Sequence, residues 1–313
     1  MSKFKFYFIA LAALSVLFSC DKSSGDSDYE LLHDYGVQYE YDMSVIEQYL
    51  KTHYIEEIID NPGGIDDQDI KLTKIPAGGA QQAIWDSPLL HFIDVERHTM
   101  TYRIYYIKQR EGVGESPSRV DRVFTSFDGG YLRMGDEPTR FQYDQLPSVY
   151  YPLHSTIFAW SEIFPLFKEG TLIDNGVGNP AVYENFGAGV MFVPSGLAYY
   201  NNATATLPAY AQLMFKFKLY DVKRDDQDAD GILSNDEDLN HNGIFTDDDT
   251  DGDGIVNFLD NDDDGDGHLT RNEIKDASGE LYPFDLVPDC SGNTSNPDRV
   301  KRYLDFSCTK ENE

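Results

Sequence analysis

Basic residues are scarce in this chain: 25 Lys and Arg stand against 55 Asp and Glu over 313 residues, for a formal net charge of -30. A surface with that balance repels nucleic acid and attracts cations, so nucleic acid is excluded as a partner. Cysteine is scarcer, with only Cys20, Cys290 and Cys308. Long apolar runs are lacking too: the run from Phe6 to Phe18 falls short of the ~20 residues that a comfortable membrane span takes.

What is present is a hydrophobic fraction of 41% with 13% aromatics, enough for a packed core. The chain opens with Lys3 and Lys5, then the apolar run, then Leu17-Phe18-Ser19-Cys20. This reads as a signal peptide, set aside from fold reasoning, and the small residue before cysteine resembles the lipobox of bacterial lipoproteins. That resemblance implies a lipidated Cys20 and a cell-envelope protein held to a membrane by its lipid anchor, with the outer membrane as the expected place. Asp21 to Asp28 is polar and small and suits a flexible tether. The expected divisions are a leader over 1–19, a tether over 20–36, an N-terminal helix and extension over 37–99, a main domain over 100–222, acidic repeats over 223–275 and a tail over 276–313. In an oxidising compartment Cys290 and Cys308 are expected to staple that tail with a disulfide.

Spacing predicts a helix over 42–58, capped by Asp42 or Ser44, with Ile46, Tyr49, Leu50 and His53 on one face. His53 is read as a packed residue, not a ligand. Asn61-Pro62-Gly63-Gly64 breaks the pattern, and Trp85 and Leu89 to Phe92 offer anchors for a core. Met100 to Lys108 alternates, with Tyr102, Ile104 and Tyr106 on one face, and Val120 to Phe127 reads as a second strand. Asp128-Gly129-Gly130 opens a polar loop reaching Pro138, and Phe141 to Tyr143 alternates again. Residues 160–169 form a short helix with Trp160, Ile163, Phe164 and Phe167 on one face, ended by Gly170. The clearest alternation closes the stretch from Met191 to Leu219, where Leu213, Phe215, Phe217 and Leu219 oppose Met214, Lys216 and Lys218. Strands first, one short helix and a last long strand describe an α+β domain whose antiparallel sheet half-wraps a helix.

Ile157-Phe158-Ala159-Trp160, Phe167-Lys168-Glu169-Gly170, Phe192-Val193-Pro194, Leu197-Ala198-Tyr199 and Leu207-Pro208-Ala209 running into Leu213-Met214-Phe215 resemble, in order and spacing, the FKBP-type peptidyl-prolyl cis-trans isomerases. Tyr105-Tyr106-Ile107 with Gly112, Gly114, Pro117 and Asp121 is similar to that family's first strands, and Asp42 to His53 resembles a helix that precedes them in lipoprotein members from Bacteroidetes. The resemblance covers about residues 100–222. It implies an apolar pocket with Trp160 as floor, Phe141 and Phe215 as walls, Phe124 as a flank, a Tyr199 hydroxyl that bonds the substrate carbonyl, and a Leu207 backbone N–H that binds the substrate. It also implies a folding helper with proline-containing polypeptide clients and no cofactor for catalysis.

The chain departs from the family in places. Phe124 stands where a tyrosine is usual, and Ala159 and Tyr200 stand where glycines are usual. The family's F-D pair is missing, because the register gives Tyr131-Leu132 or Leu132-Arg133, with Asp128 or Asp136 as substitutes whose spacing does not show the role. The connection from Gly170 to Met191 is longer than the family's. These departures keep a second reading open, a catalytically degenerate binding module that holds proline-containing segments.

From Asp225 to Lys275 there are 18 acidic and 2 basic residues. Asp226, Asp228, Asp230, Gly231 and Glu237 stand at positions one, three, five, six and twelve of a twelve-residue loop, the EF-hand spacing for calcium. Asp262, Asp264, Asp266, Gly267 and Glu273 repeat it in full, and two weaker copies lie between, Asp238, Asn240, Asn242, Gly243 and Asp249, then Asp249, Asp251, Asp253, Gly254 and Asp260. Their tandem spacing resembles thrombospondin type-three repeats more than paired EF-hand helices. Hard oxygen ligands favour several structural calcium ions over zinc or copper, and His241 and His268 are expected to be exposed. Metal binding and folding of the segment are expected to be coupled. In the binding-module reading, the calcium array serves as a spacer or an adhesion surface.

Overall fold

The computed structural model describes residues 32–174, 176 and 182–309. Cys20, the leader and the tether as far as residue 31 lie outside the described residues, so the lipidation reading is not addressed by the structure. Helix α1 spans Tyr35–Thr52, and Asp34 caps it by accepting from the backbone N–H of Gly36 at 2.9 Å and Val37 at 3.1 Å. The helix expected over 42–58 therefore begins and ends earlier. Asp42 is not its cap but lies mid-helix and fully buried. His53-Tyr54-Ile55, aromatic and β-branched, turns extended as strand β1 (His53–Ile58), which pairs with β2 (Ile70–Lys74). His53 is buried and stacks on Tyr49 at 3.8 Å.

Seven antiparallel strands make the main sheet: β3 (Leu90–Arg97), β4 (Met100–Arg110), β5 (Arg122–Leu132), β6 (Thr139–Asp144), β7 (Tyr151–Pro152), β10 (Gly187–Val193) and β11 (Gln212–Lys223). They run in the order β3-β4-β10-β11-β5-β6, with β7 on β5. A small hairpin, β8 (Thr171–Ile173) and β9 (Val182–Glu184), fills part of the long connection before β10. β5 is longer than expected: Gly129 and Gly130 are not in a loop but paired with Phe215 and Met214 of β11. Helix α2 covers Phe158–Ile163, and a 3-10 turn over Phe164–Leu166 completes what reads in sequence as one helix over 160–169. Phe164-Pro165 marks the change, since proline has no N–H to donate to a continuing helix.

Both faces of the sheet are covered, which explains why β4 buries Tyr105 and Ile107 on one side and Tyr102, Ile104 and Tyr106 on the other. One core joins Tyr102, Ile104, Tyr106, Leu213, Phe215, Phe217 and Leu219 with α2. The other joins Tyr105, Ile107, Phe192 and Met214 with Val45, Ile46, Tyr49 and Leu50 of α1. Lys218, on the second face, pairs with Asp69 at 2.6 Å.

The acidic segment is docked on this domain. Phe245 and Phe258 pack on Val120, Arg122 pairs with Asp225 at 2.6 Å, Gln227 donates to the Val120 carbonyl at 2.6 Å, and Arg119 donates to the Gly243 carbonyl. Beyond it Cys290 and Cys308 form a disulfide with Cα atoms 5.5 Å apart. Among the described residues no helix is long and apolar enough to cross a membrane.

Candidate functional site

Alternate residues of a strand point the same way, so Val123, Phe127 and Tyr131 of β5 share the face that meets α2. Trp160 lies against that face, 4% exposed. Phe127 and Phe215 meet its indole edge-on with centroids at 5.1 and 5.5 Å, Tyr151 does so at 6.0 Å, and Phe164 lies tilted at 5.2 Å. Phe141 sits edge-on to Phe215 at 5.7 Å and to Tyr199 at 6.4 Å. Such arrangements suit the ring quadrupoles. Trp160, Phe215, Phe141, Tyr199 and Leu207 are thus brought together in one cluster, with Phe141 and Tyr199 half-buried as its rim.

Phe124 is not part of it. One register step from Val123, it points to the opposite face and packs with Tyr150 at 5.1 Å, Tyr183 at 5.9 Å and Tyr220 at 6.3 Å. Phe127 and Tyr151, which the sequence reading did not select, flank Trp160 instead. The alternation of Val123 with Phe127 held the signal, since a one-residue slip moves every side chain to the other face.

Gly129 allows the two walls to close. A Cβ there would meet Phe215 Cε1 at 2.7 Å and Phe141 Cε1 at 3.2 Å. Gly129→Ala is therefore expected to push the Phe215 ring off its place and to lower stability by about 1–3 kcal/mol, measured by urea unfolding. An unchanged midpoint would mean that the ring has room to spare.

The expected F-D pair is absent, as Tyr131 enters the core beside α2 and Leu132 the opposite one. Asp128 does not replace it: it faces the other side and is held by Arg140 through two hydrogen bonds of 2.7 Å. Asp136 is exposed. A carboxylate does reach the indole's neighbour: Asp144 accepts from the Tyr151 hydroxyl at 2.7 Å.

Donors at the rim also differ from expectation. The Leu207 backbone N–H is already engaged by Thr204 Oγ1 at 3.1 Å, in a turn closed by Thr204 N–H on the Leu207 carbonyl at 2.8 Å. Uncommitted among the described residues are the Tyr199 hydroxyl, whose pKa burial raises above the usual phenol value, and Trp160 Nε1–H, buried without a partner. Tyr200, where a glycine was expected, has φ of +49° and is held by stacking on Tyr35 at 4.3 Å and by an edge contact with Tyr210 at 5.0 Å. A non-glycine residue with that φ persists where its surroundings over-determine it.

Asp42 fixes the loop that carries Tyr199. Its carboxylate accepts from Ser195 N–H and Oγ at 2.7 Å each, and from Gln212 and Gln38 Nε2 at 2.6 Å each. Burial raises its pKa against the pull of these hydrogen bonds. Ser195 and Gln212 bracket the Tyr199 loop, so α1 holds both of its ends. An aspartate in line with Val45, Ile46 and Tyr49 on the buried helix face was the available signal.

In the acidic segment four loops share one geometry. The position-six N–H of Gly231, Gly243, Gly254 and Gly267 donates to Oδ2 of Asp226, Asp238, Asp249 and Asp262 at 3.2, 2.7, 3.1 and 3.1 Å. These glycines have φ between +74° and +103°, the region that lets the backbone reverse. In the first and last loops the outward oxygens are taken by backbone and the inward ones are left: Asp226 Oδ1, Asp228 Oδ2, Asp230 Oδ2 and both oxygens of Glu237, then Asp262 Oδ1, Asp264 Oδ2, Asp266 Oδ2 and both of Glu273, are buried without a partner. Burial first, and then neighbouring carboxylates, push Glu237 up to about 10 and Glu273 up to about 9. A hard cation fits such sets of oxygens.

The middle loops differ. Asp249, Asp251 and Asp253 converge but are more exposed, with Asp260 half-buried beside them. In the second loop the Asn242 amide donates to Asp247 at 2.8 Å, and the buried carboxylate with a free oxygen is Asp248, not the expected Asp249. His241 is exposed as expected, whereas His268 is half-buried.

Fold and site together define an α+β domain, an antiparallel sheet with few helices around a tryptophan-centred aromatic cluster, extended by tandem carboxylate loops. A protein-family model described as BamM C-terminal matches residues 227–297, under a quarter of the chain. No curated protein matches it in sequence. Among solved structures it is similar to a peptidyl-prolyl cis-trans isomerase from Pseudomonas syringae, at 17% identity over 44% of this chain and 84% of that one, with a TM-score of 0.33. It is similar to FkpA from Escherichia coli at 22% identity over 42% of this chain and 51% of that one, with a TM-score of 0.31. The N-terminal domain of FKBP42 from Arabidopsis thaliana is similar at 15% identity over 42% of this chain and 94% of that one, with a TM-score of 0.30.

Proposed function

We propose that the chain is an FKBP-type peptidyl-prolyl cis-trans isomerase that helps proline-containing clients fold in the cell envelope, lipid-anchored through Cys20 and ordered at its C-terminal end by calcium. The observation that carries the reading is Trp160 flanked edge-on by Phe127 and Phe215, with Phe141 and Tyr199 as the rim.

Peptide-bond rotation faces a barrier of ~18–20 kcal/mol, and the cis and trans states at proline are close in energy but exchange slowly. No nucleophile is needed. The twisted transition state has lost amide resonance, so an apolar surface that strips water from the imide carbonyl disfavours the planar ground state relative to it. The prolyl ring would pack on the aromatic rim while the free Tyr199 hydroxyl donates to the carbonyl. With Leu207 N–H engaged, that hydroxyl is the principal donor in this reading.

Tyr199→Phe is expected to reduce kcat/KM about tenfold, the size of one hydrogen bond to a developing polar group, with an unchanged melting temperature. Exchange between cis and trans signals of a proline peptide measures it on the full chain, because the acidic segment packs on Val120 and pairs with Arg122 at the start of β5. The engaged Leu207 N–H favours the second reading, a binding module; an exchange rate at buffer level together with peptide-dependent shifts at Phe141 and Tyr199 would support it.

For the carboxylate loops the reading is calcium: Asp226, Asp228, Asp230 and Glu237 in the first, Asp262, Asp264, Asp266 and Glu273 in the last, with Asp249, Asp251, Asp253 and Asp260 as a more open site. The buried, partnerless oxygens support it, because so many buried like charges need a counter-charge.

A further inference from the structure

Asp263 occupies position two of the last loop, a place that spacing assigns to the outside of a calcium turn. It is nonetheless 2% exposed. Its Oδ2 accepts from Thr270 Oγ1 at 2.9 Å, which orients the carboxylate, and its Oδ1 is buried with no partner. It faces the first loop: oxygens of Asp230, Glu237 and Asp263 lie within 4.8 Å of one another. Asp230 and Glu237 are themselves 1% and 2% exposed, and both Glu237 oxygens lack a partner. Three buried carboxylates from two loops converge, each with an oxygen left over.

A neighbouring group reports on the same spot. Tyr303, from the disulfide-closed tail, is 1% exposed with its hydroxyl unpartnered, and it packs in one small core with Ile232 of the first loop and Ile274, the residue that follows the last loop. The first loop, the last loop and the stapled tail therefore meet at one point.

We propose that the cation of the first loop is shared: Asp263 supplies it with a side-chain oxygen from the last loop, so that one calcium ion clasps both ends of the repeat array beneath the Tyr303 ring. This rests on the calcium reading above and adds a ligand that the loop spacing does not contain. Calcium accepts six to eight oxygens. The first loop offers five free side-chain oxygens of its own, and Asp263 adds to them. The clasp makes the array a closed unit and not a string of independent loops, and places the tail under calcium control.

The test is a calcium titration of the full chain by calorimetry, with bound calcium counted after dialysis. Asp263→Asn is expected to weaken one class of sites about tenfold or more and to speed proteolysis around the exposed 291–298 stretch of the tail, while Asp298→Asn, an exposed control, changes neither. Thr270→Val removes the hydroxyl that orients Asp263, keeps the carboxylate, and is expected to weaken the same sites to a lesser degree. If near-UV circular dichroism shows Asp263→Asn unfolded in calcium, Thr270→Val decides: lowered affinity supports the clasp and unchanged affinity overturns it. A wild-type chain that binds no calcium defeats the calcium reading itself. A wild-type chain that binds calcium, beside both variants binding the same number with the same affinity, defeats the clasp alone.

Discussion

On the calcium reading, a chelator added to the folded chain is expected to lower its melting temperature by about 10 °C. The figure follows from mass action, since a ligand at about a thousand times its Kd stabilises by about 4 kcal/mol, and about 1 kcal/mol moves the melting temperature of a mid-sized domain by about 2–4 °C. The physical origin is the set of ten inward oxygens in the first and last loops, buried and without partners. Deprived of a cation, those carboxylates repel one another or take up protons, and the segment has little core to hold it: Ile232, Ile274, Val287 and Tyr303 form one small cluster, and Val120, Phe245 and Phe258 another. The second cluster includes Val120, which leads into β5, so loosening the loops also bares Val120 at the edge of the sheet domain. Calorimetry in calcium and in chelator checks this, and coincident curves would remove calcium from the account.

Asp42→Ala is expected to destabilise the chain by about 3 kcal/mol, because buried donors deprived of their acceptor lose about 1–3 kcal/mol each. Four donors converge on that carboxylate. Gln38, Gln212 and the Ser195 hydroxyl can turn partly away, but the Ser195 backbone N–H cannot. Asp42→Asn keeps one carbonyl and is expected to fall between. The effect should be local as well as global: amide exchange over residues 195–212 speeds up more than exchange in β4, as the loop is released from α1. Urea unfolding with exchange mass spectrometry measures both. A loss below about 1 kcal/mol, with the loop protected as before, would mean that α1 only covers the sheet.

The strands were largely legible in the sequence because their alternation is strong: Leu213 to Leu219 and Tyr102 to Tyr106 fall on the faces that their spacing predicts. The α+β arrangement followed from them. Where the reading missed, tertiary packing or register decided. The start of α1 was masked because Asp42, a plausible cap by type, is instead a buried acceptor, and its four donors come from three separated segments that only the fold brings together. Phe124 was placed by likeness to a family, and strand parity moved it to the opposite face. Gly129-Gly130 reads as a turn because glycine usually breaks a strand, and here it makes room for Phe215. The carboxylate loops were legible in the first and last copies, whose residues are local in sequence. Asp263 was not, since the carboxylates it meets, Asp230 and Glu237, lie in the first loop, and Asp248 was not, since it stands one place before the position that the spacing assigns.

Measured exchange between the cis and trans forms of a short proline peptide tests the central claim most directly, using the full chain in calcium. The account predicts exchange faster than in buffer by an amount that scales with protein concentration. Exchange equal to buffer at every concentration, with the chain folded and calcium-bound, would contradict it.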